Sequence, residues 1–401
     1  METLEIRIEP LDPLLFGDNR SARAGEDHGQ VDQDPSPATF YGAIGARIAS
    51  QLGAFEPGSD WSRAEPVLGA FTQALDSGHE DRSQLLGVAY RDPEDELWFP
   101  KPAHLRLETL DDRLVGGHLL LPADSGDLLL SSLPARCRRL TLAGDERRRS
   151  PREVEEAEEP LLVHRDLLAS VLAEPWSCEL GADALRTEVR KTDRFHVPDR
   201  RLGLAMSNAT NTAQEGRLFS RPYRRFTAAF TPGGFGSAGF IAWYRVRELG
   251  AHTPADWSGL GHLGGDRRRV RLAFTRAQER PVGDLLARVL DQAPESRGFS
   301  VCLLTPAVAT EPIPCLGGRR PIAAALGRPR HASGWCAAGP HHGPRPIRTL
   351  VPAGSVLFFE WGAGEAAPEA RRKLLEALWL EPLDPAYRNH GFGRMLTGVW
   401  R

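Results

Sequence analysis

Cysteine is sparse in this 401-residue chain, and no two cysteines form a CxxC pair. The five, Cys137, Cys178, Cys302, Cys315 and Cys336, are scattered. That spacing indicates neither a disulfide framework nor a zinc ribbon. Apolar runs are short: no stretch of 18 apolar residues offers a membrane span, and METLEIRIEP lacks the basic-then-apolar layout of a signal peptide. These absences read as a cytoplasmic protein without membrane contact. Lysine is scarcer still. Only Lys101, Lys191 and Lys373 occur, so nearly all of the 50 basic residues are arginine.

What is present suits a globular protein, with 41% hydrophobic and 26% charged residues, and the length accommodates two or three domains. The net charge of −3 conceals an asymmetry: residues 251–401 carry 20 basic and 13 acidic side chains, residues 1–250 the remaining 30 and 40. Arginine suits bidentate phosphate contact and stacking on bases, so the composition permits nucleic acid without requiring it.

LEIRIEPL (4–11) alternates as a half-buried strand does. DPSPATFYGAIGARIASQL (34–52) predicts a helix with Ser36 at the N-cap, Pro37 in the first turn, and Phe40, Ile44, Ile48 and Leu52 on its apolar face. Residues 83–92 and 96–102 read as a strand pair, 144–160 as an exposed charge run, and LLVHRDLLASVLAEP (161–175) as a short helix. In the second half, 266–276, 298–308, 349–361 and 393–400 read as strands and 281–292 and 368–380 as helices. That order is βαββαβ, a ferredoxin-like unit. The first half reads as the same unit with an insertion over about 103–235, closing on GFIAWYRVREL (239–249), with 255–265 as linker. The expected fold is therefore α+β: two tandem ferredoxin-like (RRM-like) domains, 1–250 and 251–401, with long insertions.

Several apparent motifs do not hold. Gly234-x-Gly236-x-x-Gly239 imitates a dinucleotide fingerprint, but an apolar strand follows where a helix is needed. His164-Arg165-Asp166-Leu167 imitates a kinase catalytic loop, with Val171 where a metal-binding asparagine belongs. Cys315, Cys336, His341 and His342 have no common zinc spacing, and His28 has no nucleophile or second base beside it. One stretch carries more. Residues 186–225 hold ten basic and four acidic residues interleaved with Phe195, Phe219 and Tyr223. Cations neutralise phosphates and aromatic rings stack on unpaired bases; a solvated hairpin with core aromatics explains the same pattern. Gly391, Gly393 and Gly398 crowd HGFGRMLTGVW before the last strand, as either a tight turn or a backbone that something approaches closely.

The segments EPLDPLLFGDNRSARAGEDH, PSPATFYGAIGARI, LGLAMSNATNTAQEGRLF, LGGDRRRV, LLTPAV, VPAGSVLFFE and GFGRMLTGVW run in order along the chain. Together they resemble the RAMP superfamily of CRISPR-associated proteins, and within it subunit three of type III-B (Cmr) effector complexes. GFGRMLTG has the form of the RAMP glycine-rich loop. Two places depart from the family pattern: Gly17-Asp18-Asn19-Arg20, and Cys336 where aspartate is usual. The resemblance implies a non-catalytic subunit without cofactor or metal. It would cap the 5′ repeat-derived tag of the CRISPR RNA, sit against a Cas10-type large subunit and the first RAMP backbone subunit, and meet target RNA only indirectly.

Together with the basic stretch, it nominates as RNA contacts Arg20, Ser36, Thr39 and Arg47 near the first helix, and Lys191, Arg217, Arg224 and Arg225 in the insertion. Gly264, Gly265 and Arg268 follow, with Gly391, Phe392, Gly393 and Arg394 in the closing loop. A repeat-processing ribonuclease using His28 and a purely structural bridge are the alternatives.

Overall fold

The computed structural model describes residues 1–16, 35–54, 61–69, 78–110, 113–128, 137–142, 155–156, 161–175, 180–207, 209–210, 212–231, 234–332, 335–336, 343–344 and 346–401. Period-two alternation builds its first sheet. Along the strand Glu2–Pro10, Leu4, Ile6 and Ile8 are fully buried on one face. This strand pairs antiparallel with Gly239–Val246 on one side, Leu4 opposite Tyr244, and with Arg269–Arg276 on the other, Ile6 opposite Phe274. The whole sheet has eight strands in the order Gly259–His262, Arg269–Arg276, Glu2–Pro10, Gly239–Val246, Gln84–Arg91, Leu97–Pro100, Leu161–His164, Val189–Lys191. The helix Pro37–Gln51 buries Phe40, Ile44 and Ile48 in the same cluster as Leu4, Ile6 and Ile8.

Three expectations change here. Arg269–Arg276 does not open a second unit but joins the first sheet, because Val270, Leu272 and Phe274 enter the cluster around Ile6 and Ile8. Residues 255–265 are not a linker: Gly259–His262 forms the sheet's edge strand, so the boundary placed at 250/251 falls inside one hydrogen-bonded sheet. Leu161–His164 is a strand against Leu97–Pro100, and the helix starts only at Arg165, with His164 as its N-cap accepting the Asp166 N–H at 3.3 Å. Of the charge run 144–160, only Glu155–Glu156 is described, as a short strand.

The second half holds a four-stranded antiparallel sheet, Ala323–Ala325, Val356–Glu360, Gly298–Leu303, Met395–Trp400. The helices Gly283–Gln292 and Pro368–Leu378 bury Leu285, Leu286, Val289 and Leu375 in its core. The expected strands 298–308 and 349–361 each break in two. Ala307–Val308 and Arg348–Val351 leave to form a separate three-stranded sheet with Arg330–Ala332. Pro306 and Pro352 mark the breaks, where proline supplies no ladder N–H.

The two halves share one core. Leu86, Ala89, Ile241 and Trp243 of the first sheet join Val289, Phe299, Leu304, Leu396 and Trp400 of the second half. Strand Gly239–Val246 is therefore buried on both faces, with Trp243 and Tyr244 in different clusters. The insertion's main feature is a long hairpin, His196–Met206 against Ala213–Phe226, standing as its own two-stranded sheet.

Candidate nucleic-acid interface

Where the two halves meet, a groove of about 780 Å³ opens. Phe40, Tyr90, Phe240 and Phe392 give it apolar lining, while Ser36–Thr39, Gly264–Gly265, Arg330, His331 and Arg348 supply polar and cationic groups. The Ser36–Thr39 turn is the positive end of a 15-residue helix. Pro37 brings no N–H, and the Ser36 side chain makes no capping hydrogen bond. A helix start of this kind favours an anion. Arg348 is steadied by Tyr387: its Nη1 donates to the phenol oxygen at 2.6 Å, and its guanidinium lies 5.6 Å from the ring centroid. Gly264 closes the wall at φ 77°, where a Cβ would stand 2.4 Å from the Leu15 carbonyl oxygen. Only glycine permits that approach, and the Gly265 N–H then donates to the same oxygen at 2.7 Å.

Beside the groove, the long hairpin is an arginine surface held by two carboxylates. Arg224 is 7% exposed. Its backbone exchanges hydrogen bonds with Leu14 at 2.8 and 2.9 Å, and its guanidinium reaches the Tyr90 hydroxyl at 3.5 Å and the Phe16 ring at 5.6 Å. Arg225 and Arg201 both donate to Asp199 Oδ2, at 2.9 and 3.1 Å. The Arg225 hydrogen bond foremost, then Arg201, holds the Asp199 carboxyl below its usual range. Arg221 reaches both oxygens of Asp266 at 2.8 and 2.7 Å, and the Tyr223 hydroxyl donates to Asp266 at 2.6 Å. Arg268 lies 4.4 Å above the Tyr223 ring. The Tyr223 hydrogen bond is the main cause that lowers the Asp266 carboxyl.

The groove gathers Ser36, Thr39, Gly264, Gly265 and Phe392 from the residues expected to meet RNA. Arg268 and Arg225 belong to the hairpin network. Lys191 stands on the outermost strand of the large sheet, away from the groove lining. Arg20 and His28 lie outside the described residues, as do His341, His342 and the side chains of Arg217 and Cys336. Arg330 and Arg348, which line the groove, lie in and just after a Gly/Pro-rich stretch, residues 311–346, where the sequence has no periodicity to mark them. Arg330 follows a proline directly, in Arg328-Pro329-Arg330, and Arg348 follows one after a single residue, in Pro346-Ile347-Arg348.

Four expected contacts, Arg47, Gly391, Gly393 and Arg394, are engaged within the protein instead. Arg47 fastens the first helix to the turn before the edge strand, donating from Nε to Trp257 O at 2.8 Å and from Nη2 to Ser258 O at 2.6 Å. Arg394 is fully buried. Its Nε donates to Leu85 O at 2.8 Å and its Nη1 to Leu380 O at 2.7 Å, while Nη2 serves Arg388 O and Gln84. Burial pushes this guanidinium down to about 9, so it stays charged at neutral pH. Arg394 is thus an internal strut between the halves. The closing-loop backbone is engaged as well, with Gly393 N–H on Pro306 O at 2.8 Å and Arg394 N–H on Thr305 Oγ1 at 2.9 Å. Gly391 has φ 78°, and a Cβ there would stand 2.8 Å from the Leu85 side chain. Gly391 thus serves close packing against the first half, and Gly393, at φ 69°, packs against Ala307 and Leu383 of its own half; of the loop, Phe392 reaches the groove, 3% exposed.

A second cleft of about 700 Å³ sets Asp92, Glu94, Glu96, Asp166 and Glu188 against Arg190 and Arg194, so carboxylates outnumber cations there and oppose phosphate. Among the described residues, no group of three or more His, Cys, Asp or Glu could hold a metal ion, and no helix is long and apolar enough to cross a membrane.

The family model described as CRISPR-associated protein (Cas_Cmr3) matches residues 6–400. A chain of the type III-B Cmr-beta complex bound to cognate target RNA is similar at 12% identity, over 89% of this chain and 86% of that one, with a TM-score of 0.43. A chain of the same complex bound to target RNA and AMPPnP is 14% identical, over 93% and 88%, with a TM-score of 0.44. No curated protein matches.

Proposed function

The chain belongs to the CRISPR-associated protein (Cas_Cmr3) family, and from that premise we propose that its groove grips the single-stranded 5′ tag of a CRISPR RNA within a type III-B effector complex. One observation carries the reading: the groove sets apolar rings beside a helix N-terminus and two arginines, Arg330 and Arg348. Unpaired bases find rings and an apolar lining there, and phosphates find cations and helix N–H groups. The second cleft also holds rings and arginines, Trp98, Phe195, Arg190 and Arg194, but sets five carboxylates beside them, which opposes a polyanion. The subunit acts without catalysis: it holds the RNA end and docks the Cas10-type large subunit against the RAMP backbone, meeting target RNA only through the guide. Ferredoxin-like units of RAMP type remain the reading for its two main sheets, with the first extended by Gly259–His262 and Arg269–Arg276.

The test is binding of fluorescent single-stranded repeat RNA to the purified chain. The pair Arg330→Ala and Arg348→Ala is expected to weaken binding at least tenfold, roughly 1.4 kcal/mol. It should also flatten the salt dependence, because fewer counterions are released. Thr39→Trp, which fills the groove at the helix start, is expected to weaken binding too. Unchanged affinity in both variants, with melting temperatures intact, places RNA elsewhere. Cleavage of the repeat RNA by the wild-type chain would overturn the non-catalytic assignment.

A further inference from the structure

The hairpin presents its arginines already occupied. In its register Val197 faces Arg225, Asp199 faces Tyr223 and Arg201 faces Arg221, which puts all six on one face of the ribbon. Asp199 is the acid on that face, and its Oδ2 binds Arg201 and Arg225 together. The exposures are unequal. The Asp199 side chain is 14% exposed, those of Arg201 and Arg225 42% and 63%. The carboxylate is thus sunk between two guanidinium groups whose outer edges stay open to solvent. A carboxylate and a phosphate oxygen pair present the same acceptor geometry to an arginine fork.

We propose that Asp199 is a built-in phosphate mimic, a positioning residue that holds Arg201 and Arg225 in a phosphate-ready arrangement and yields them when RNA arrives. The inference rests on the RNA-binding reading above and adds a second contact zone outside the groove. An incoming phosphate shares or replaces the carboxylate on the two guanidinium groups, and Asp199 is then left beside a like charge. That repulsion lowers affinity for any polyanion, so a weakly held or short RNA is rejected, whereas one also gripped by the groove stays bound. Arg201 is held from two sides, by the Asp199 carboxylate and by the Tyr223 ring, over which its guanidinium lies at 5.2 Å.

Asp199→Asn tests this. The amide keeps the shape and removes the charge. Expected results are a three- to tenfold tighter binding of single-stranded RNA at low salt and a steeper fall of affinity with salt, because no carboxylate recovers a counterion on binding. The gain should be proportionally larger for a short oligonucleotide than for a long one. Glu376→Gln, on the exposed face of the helix Pro368–Leu378, makes the same change in net charge far from the hairpin and is expected to leave binding nearly as it was. Adding Arg225→Ala to Asp199→Asn should cancel the gain. The proposal is overturned if Asp199→Asn binds no tighter with an unchanged salt slope, or if Glu376→Gln produces the same gain. Should wild-type protein bind no RNA at all, the groove reading fails first; wild-type binding with an inert Asp199→Asn removes only the mimic. A melting temperature recorded on each variant separates loss of folding from either outcome.

Discussion

His104 shows at the residue scale how a polar group gains a price from its surroundings. It is 2% exposed, edge-on to Phe358 at 5.6 Å, and its Nδ1 has no partner. Burial first, then the nearby charge of Lys101, pushes its imidazole down to about 3. The folded state therefore keeps it neutral, while the unfolded chain takes up a proton below about pH 6.5. Between those values the unfolded state binds more protons, so stability falls as pH falls. From pH 7 to pH 5 this one group is expected to cost about 2 kcal/mol, and His104→Leu to be correspondingly less sensitive. Urea melts of both proteins at the two pH values check it; parallel losses would show that His104 titrates normally. Arg394 is the opposite case, a buried charge with a full set of acceptors. Arg394→Ala strips a donor from the Leu85, Leu380 and Arg388 carbonyls. It is expected to cost about 3–5 kcal/mol in chemical denaturation.

Among the elements, the closing loop behaves as a packing device. Gly391→Ala introduces a Cβ against Leu85 at a φ of 78°, and is expected to destabilise by about 1–3 kcal/mol while the folded fraction binds RNA as before. Thermal melts and RNA titrations on one preparation decide it; weakened binding in fully folded protein would return the loop to the RNA site. The sequence showed the glycines but not which surface comes close, because that surface is Leu85, some three hundred residues away. Local pattern served well where it was periodic. Phe40, Ile44 and Ile48 behind Pro37 marked the first helix, found at Pro37–Gln51, and alternation marked Glu2–Pro10. It served less well where pairing is a matter of partner choice: nothing local in RVRLAFTR says that it lies beside Glu2–Pro10. Charge was the least legible. Arginines in sequence look alike, yet Arg47, Arg224 and Arg394 turn inward to carbonyls, rings and backbone, and Arg330 and Arg348 line the groove.

For the molecule as a whole, the shared core decides how it unfolds. The strand Arg269–Arg276 belongs to the first sheet although it follows every other element of the first half. Leu86, Ile241 and Trp243 pack in one cluster with Phe299, Leu396 and Trp400, and Arg394 bonds across to Leu85. A division at 250/251 would strip Glu2–Pro10 of a partner strand and expose Val270, Leu272 and Phe274 of the displaced one. Cutting later, after Arg276, would keep the sheet whole but still open the common core. Neither fragment 1–250 nor 251–401 is therefore expected to fold alone, since an apolar face of this size has no covering layer once its partner is gone. Calorimetry of the intact chain should give a single cooperative transition whose calorimetric and van't Hoff enthalpies agree. Two resolved transitions, or a soluble fragment 251–401 with sharp unfolding of its own, would show that the halves are separate domains in contact. The same continuity bears on the groove, whose walls come from both halves: destabilising the second half with Gly391→Ala should raise exchange of amides along Gln84–Arg91 in the first sheet, read by hydrogen exchange, before RNA affinity changes.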